Sequence, residues 1–221
     1  MMQIPSDWTF NRADIAAGFD HHVREQLPWY DLLTGAVAHV VRHYLPEGGL
    51  IYDIGASTGN IGKAISSTVE ARGASLIAIE KSADMARAYT GPGECVNADA
   101  MTYDYQKFDV AICFLVLMFM PPSRRKHWLQ SLANNIRPGG ALIIADKTAD
   151  NRGYISTVMH RLTLAGKAAA GVSAQEIVEK ELSLSGVQRP IQSSHMDNLC
   201  PRPAELFRFG EFACWVAERP E

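Results

Sequence analysis

Residues 52–60 read Tyr52-Asp53-Ile54-Gly55-Ala56-Ser57-Thr58-Gly59-Asn60 (YDIGASTGN), and two chemistries compete for them. Gly55 to Gly59 fits G-x-S-x-G, the strained turn that presents a hydrolase's nucleophilic serine. The same residues fit a glycine loop that leaves a first β-strand and opens a helix, with Asp53 just ahead. In a doubly wound α/β sheet such a loop lets the backbone approach a nucleotide-like ligand.

The flanking pattern decides for the loop. Short apolar runs alternate with helical spacing, which marks βαβ units and a parallel sheet. Strands are expected at 50–54, 75–79, 94–97, 108–114 and 141–145, and a helix at 61–71. Ser82 reads as the N-cap of a short helix. Pro122 opens a helix through PSRRKHWLQSLANNI, which Arg137-Pro138-Gly139-Gly140 ends. After Asp146 the pattern changes: residues 153–185 read as two helices separated near Gly171, with no strand between them. Residues 206–217 read as a hairpin turning at Gly210-Glu211, and residues 30–44 as a helix ahead of the first strand.

The expected fold is therefore α/β: a doubly wound, Rossmann-like, seven-stranded and mostly parallel sheet. It carries a C-terminal antiparallel hairpin and a helical insertion after strand five. One domain spans 1–221, with an N-terminal lid and helix (1–45), a cofactor-binding core (50–150), the insertion (151–200) and the hairpin (204–218).

A nucleoside-type cofactor in such a sheet lies at the carboxyl ends of the strands. Its ribose hydroxyls need an acceptor, and Glu80 ends the second strand, 27 residues after Asp53. Asp99, just past the third strand, is placed to accept from an exocyclic adenine amine. An acid at one strand end is usually a solvated cap; Asp53, Glu80 and Asp99 at successive ends beside a glycine loop point to a cofactor. NAD-type loops need G-x-G-x-x-G to seat a pyrophosphate, and here Ser57 stands where the second glycine belongs. S-adenosylmethionine carries no phosphate and tolerates that serine, so it is the expected cofactor.

The hydrolase alternative has Ser57, Asp146 and His195 in the chain order of α/β-hydrolases. It leaves too few upstream residues for the preceding strands and leaves Glu80 and Asp99 without a task. Two nucleic-acid signals fail as well. Met120-Pro121-Pro122-Ser123 lacks the acid or amide and the aromatic of amino-methylating DNA enzymes. Cys200-Pro201 reverses the Pro-Cys order of C5-cytosine enzymes.

Bulk properties agree with a globular enzyme. With 47% hydrophobic and 20% charged residues the chain builds a core without disulfides or structural metal. Four cysteines show no C-x-x-C pair and no zinc spacing with the histidines, so no metal is expected. A net charge of −3, with one basic cluster (Arg124-Arg125-Lys126) that reads as a solvated helix face, argues mildly against a nucleic-acid partner, although tRNA and DNA stay open. The N-terminus has no signal-peptide pattern and no apolar run spans a bilayer, so a cytoplasmic protein without membrane contact is expected.

In this order YDIGASTGN, IAIEKSADM (77–85), NADAM (97–101) and RPGGALIIAD (137–146) resemble the class I S-adenosylmethionine-dependent methyltransferases over residues 28–218. Within that superfamily, DWTF (7–10), the serine in the loop and the helical insertion are most similar to the bacterial tRNA carboxy-S-adenosylmethionine synthases. That branch converts S-adenosylmethionine and prephenate into a carboxylated sulfonium used on tRNA wobble uridine. The resemblance implies cofactor-binding roles for Tyr30, Gly55, Ala56, Ser57, Glu80, Lys81, Asp99 and Ala100, beside Asp53 and Gly59 of the loop. Two positions depart: Phe114 stands for the family's fourth-strand asparagine, and Glu181 for the insertion-helix arginine that meets the extra carboxylate. An acid there is expected to repel that carboxylate and to favour ordinary methyl transfer.

Methyl transfer from a sulfonium is an in-line displacement that asks for alignment and sometimes for removal of a proton. Candidate bases are His21, His22 and His160, with Tyr30 and Tyr154 as positioners. Arg24, Lys147, Arg152 and Arg189 are candidates to receive an anionic substrate. The expected activity is methyl transfer to a small or nucleotide-like acceptor. The alternatives are carboxy-S-adenosylmethionine synthesis and a non-catalytic cofactor-binding module. The helical insertion is a candidate homodimer surface.

Overall fold

The computed structural model describes residues 4–149 and 152–221. Its sheet follows the order β3-β2-β1-β4-β5-β7-β6, with β1 Leu50–Ile54, β2 Ser75–Glu80, β3 Glu94–Asn97, β4 Phe108–Phe114, β5 Ile136–Lys147, β6 Ala204–Phe209 and β7 Phe212–Glu218. The first five pair in parallel and β7 runs antiparallel to both β5 and β6. Strand order reverses between β1 and β4, which opens a crevice at their carboxyl ends.

Alternation along the central strands explains the layers. Ile51, Val110, Ile112 and Ile143 bury into the layer of α2 (Tyr30–Tyr44) and α3 (Asn60–Ala71). Tyr52, Ile54, Ala111, Cys113, Leu142 and Ile144 bury into the opposite layer, with Trp128, Leu129 and Leu132 of α5 (Pro122–Asn134). Each such large side chain removed from water contributes about 1.5–3 kcal/mol. Both faces of β4 are covered, so its near-continuous apolar sequence follows.

Three features differ from the sequence reading. Pro138-Gly139-Gly140 lies inside the 12-residue β5 rather than ending a helix; α5 stops at Asn134. Register shifts there, from Phe108 opposite Ile136 to Val110 opposite Ala141. Gly139 takes a positive φ of 76°, and a Cβ on Gly140 would come within 2.4 Å of the Asp109 carbonyl oxygen. The glycines thus serve a bulge. Second, Arg125 is not part of a solvated face: the residue is 2% exposed, and its guanidinium donates to the carbonyls of Met120 (2.8 and 3.0 Å), Met118 and Pro190. Third, residues 13–26 form a helix of their own, α1 (Ala13–Gln26), so His21 and His22 sit on it rather than ahead of the first helix.

The insertion forms α6 (Tyr154–Ala169) and α7 (Ala174–Ser183), separated at Gly171 as the sequence indicates. Ser173 and Glu176 close a capping box on α7. A short α8 (Ser194–Asp197) follows. Among the described residues no helix is long and apolar enough to cross a membrane.

Candidate functional site

The loop after β1 takes its shape from three left-handed residues. Gly55 has φ 70°, Ser57 φ 51° and Gly59 φ 94°. A side chain at Gly55 would strike Val116, its Cβ 2.4 Å from a valine methyl. Ser57 holds a conformation that costs a non-glycine residue about 1–2 kcal/mol. Its compensation is visible: the Ser57 amide donates to Glu80 Oε2 at 2.8 Å. The other Glu80 oxygen accepts the Ser82 amide at 2.7 Å, and the Ser82 hydroxyl caps α4 (Ala83–Arg87) by accepting from Met85. Glu80 thus clamps the glycine loop to the end of β2. Burial raises its pKa, opposed by these amides.

Beside this clamp opens a cavity of about 560 Å³, within the size range of ordinary small-molecule sites. Of the residues singled out for the cofactor, Tyr30, Asp53, Gly55, Ala56, Ser57, Glu80, Lys81, Asp99, Ala100 and Phe114 all line it. Gly59 lies outside, as the left-handed N-cap of α3. Asp53 is buried, and its Oδ2 finds no hydrogen-bond partner among the described residues. Burial pushes Asp53 up to about 7, with the Gly62 amide opposing and the charge of Glu80 adding to the rise. Asp99 accepts the Met101 amide at 2.9 Å and the Lys81 ammonium at 2.9 Å. Burial would raise it, but these two partners outweigh that effect and leave it below the usual range. The Tyr30 ring meets Phe114 edge-on at 5.4 Å, and its hydroxyl accepts from Asn60 at 3.2 Å.

The roof comes from the N-terminal segment and α1. The Trp8 amide donates to the Ser183 carbonyl at 2.9 Å, and the Ser82 hydroxyl donates to the Phe10 carbonyl at 2.7 Å. Asp20 of α1 accepts from Thr58 and from Asn60, which ties the helix to the glycine loop. Of the candidate bases, only His22 reaches the cavity, stacked on Trp8 at 5.6 Å. Burial, then Lys180 and Lys167, hold it down to about 3. His21 is exposed against Glu25, His160 pairs with Glu211, and Tyr154 is exposed at the start of α6; none of these three lines the cavity. Of the candidate cations, only Lys147 lines it; Arg24 pairs with Asp31 at the surface.

Of the far wall, the sequence pointed to Lys147 and Glu181 but not to Lys167 and Lys180. Lys167 of α6, Lys180 and Glu181 of α7 and Lys147 of β5 converge there. Glu181 pairs with Lys167 at 3.1 Å and Lys147 at 3.6 Å. Burial would raise Glu181, but the two lysines outweigh it and hold it below the usual carboxylate range. The expectation of a lone repelling acid is thereby corrected: two lysines, Lys167 and Lys147, pair with this carboxylate, and Lys180 lines the same wall. On a helix surface Lys167 and Lys180 read as solvated charges, and the packing of α6 and α7 turns them inward.

The hydrolase arrangement is not assembled. The Ser57 hydroxyl faces the Met85 sulfur at 3.5 Å, Asp146 accepts backbone amides of Leu117 (2.7 Å) and Lys147 (2.8 Å), and neither Asp146 nor His195 lines the cavity.

Comparison with known proteins agrees with this geometry. A family profile described as a methyltransferase domain matches residues 51–140. A carboxy-S-adenosyl-L-methionine synthase of Wolinella succinogenes is 30% identical over 94% of this chain and 92% of its own. One from Pseudomonas fluorescens is 27% identical over 86% and 81%. Among solved structures, the magnesium protoporphyrin IX methyltransferase of Synechocystis PCC 6803 with bound SAH superposes with a TM-score of 0.62 at 16% identity, over 95% of this chain and 96% of that one. The chain belongs to the S-adenosylmethionine-dependent methyltransferase superfamily, in the branch of the carboxy-S-adenosyl-L-methionine synthases.

Proposed function

We propose that the cavity binds S-adenosylmethionine and that the enzyme transfers its methyl group to a small acceptor held against the insertion helices. The observation that carries this reading is the meeting, in one cavity, of the left-handed loop, the Glu80 clamp, Asp99 and the orphaned Asp53 oxygen. Glu80 keeps free lone pairs beside its two amide partners and can accept both ribose hydroxyls. Asp99 is the acceptor for the adenine amine. A buried carboxylate such as Asp53 is stabilised by a nearby cation, which a sulfonium ligand supplies. The roof of Trp8, Phe10 and α1 over the cavity supports a small acceptor.

Native mass spectrometry of the purified protein, followed by transfer of labelled methyl to small metabolites, tests this. A bound S-adenosyl ligand and labelled product are expected; neither appearing refutes the reading. A second reading is favoured by the far wall: Lys147, Lys167 and Lys180 against Glu181 suit an anionic group, and the relatives above are named carboxy-S-adenosyl-L-methionine synthases. A co-purified ligand heavier than S-adenosylmethionine by a carboxyl group would select that reading.

A further inference from the structure

We infer that the outward face of the helical insertion pairs with a second copy of this chain, in a two-fold dimer built on α6 and α7. Eight large apolar side chains are exposed among the described residues, and six of them lie on these two helices: Tyr154, Ile155, Val158 and Leu162 on α6, Val178 and Leu182 on α7. On α6 the usual arrangement is inverted. A surface helix turns its apolar stripe to the core and its polar side to water, yet the residues that α6 buries are Thr163 and Lys167. Its exposed residues Ile155, Val158, Leu162, Ala165 and Ala169 follow the alternating three- and four-residue spacing of a seam that packs against another helix.

A two-fold interface uses the same patch on both copies, so the patch must complement itself. This one does so in size and in charge. The first half of the α6 stripe is bulky (Tyr154, Ile155, Val158) and the second half slim (Ala165, Ala168, Ala169). Two antiparallel α6 helices therefore lay the bulk of each on the slim end of the other. Arg161 stands exposed on α6 and Glu179 on α7. Arg161 reaches the Tyr154 hydroxyl and Glu179 reaches Gln175 of its own helix, and neither has an ion pair among the described residues. A two-fold axis brings the basic rim of α6 in each copy to the acidic rim of α7 in the other. A lipid surface offers no such match, since Glu179 would face an anionic headgroup layer. The inner faces of the same helices carry Lys167, Lys180 and Glu181 into the cavity, so the pairing braces the far wall of the site from behind.

Sedimentation velocity of the whole chain at micromolar concentration should give twice the chain mass. Leu162→Lys places an unpaired ammonium in the seam and should raise the dissociation constant at least about a hundredfold. Hydrogen exchange in that variant should rise across 154–183 while β1, β4 and β5 stay protected, which shows that the core still folds. The rim charges give an independent arm: Arg161→Glu or Glu179→Arg alone should weaken the dimer about three- to tenfold, and the two together should restore it. A monomeric wild type overturns the proposal. If that monomer floats with vesicles of phosphatidylcholine and phosphatidylserine, the face belongs to lipid instead. A dimer that survives Leu162→Lys, or that ignores both single charge reversals, pairs through another surface and overturns it equally.

Discussion

Replacing Asp53 by asparagine is a sharp probe, because the direction of its effect reverses intuition about a buried acid. Asp53 is 1% exposed, its carboxylate accepts the Gly62 amide, and Oδ2 has no partner among the described residues. Burial raises it to about 7 in the folded protein. The unfolded chain holds that proton less tightly, so the folded state binds more protons between about pH 4 and pH 7. Stability contributed by this group is thus present at low pH and lost as pH rises through the folded value. At about 1.4 kcal/mol per tenfold change in proton affinity, ionising Asp53 costs the fold up to about 4 kcal/mol at pH 8. Asparagine can still accept from Gly62 and carries no charge, so it should avoid that cost. We expect Asp53→Asn to be about 2–4 kcal/mol more stable than wild type at pH 8 and nearly equal at pH 4.5, by urea denaturation at each pH. Its affinity for S-adenosylmethionine, by calorimetry, should fall, because the sulfonium loses its anionic neighbour.

Asp146 supplies the control. Its burial and raised value, also about 7, match those of Asp53. Yet its oxygens accept amides on both sides, Oδ2 from Leu117 and Oδ1 from Lys147. An amide there must point a donor at a donor, at a cost of about 1–3 kcal/mol. Asp146→Asn should therefore gain less stability at pH 8 than Asp53→Asn and be destabilised at pH 4.5. Equal, pH-independent shifts for the two variants would refute the argument that orphaned lone pairs and ionisation, rather than burial alone, set the energetics.

Glu80→Gln should weaken the glycine loop, since one of the amides at 2.7 and 2.8 Å would face an NH₂ group; a loss of about 1–3 kcal/mol in S-adenosylmethionine affinity is expected by calorimetry. Ser57→Ala should leave turnover within a few-fold, whereas Ser57→Val, β-branched at φ 51°, should abolish cofactor binding; a dead Ser57→Ala would revive the nucleophile. Arg125→Met should lower stability by about 3 kcal/mol in urea titration, as it strips buried carbonyls of their donor, and an unchanged midpoint would show that water replaces the guanidinium.

The cofactor half of the molecule was legible because its signals are local. A strand, a left-handed turn and a strand-end acid lie within a few residues, so DIGASTG and IAIE announce their geometry by backbone requirement and position. Ser82 as a cap, the helix at Tyr30 and the break near Gly171 belong to the same class. Pro138-Gly139-Gly140 misled because the dipeptide chemistry that ends a helix also makes a bulge. What separates them is register against β4, which is a non-local fact. Residues 13–26 escaped because polar Asp20, His21 and His22 interrupt the apolar spacing. Asp20 is instead spent on Thr58 and Asn60, some forty residues away.

The acceptor half was opaque for a different reason, which Lys180 and Glu181 make concrete. Adjacent residues on a helix point about 100° apart, so a sequence cannot tell which of the two faces a partner. Here both turn inward, and each is decided by residues from other elements: Glu181 by Lys147 of β5 and Lys167 of α6, Lys180 by Trp8 of the N-terminal segment. Reading Glu181 alone, an acid in place of an arginine, predicts a wall that repels anions. Reading it with its two lysines gives a cluster of net positive charge in which the acid is fully engaged. The charge of a buried site is a property of the set of side chains that packing brings together. A single substitution at one position of that set therefore carries no sign until its neighbours are known.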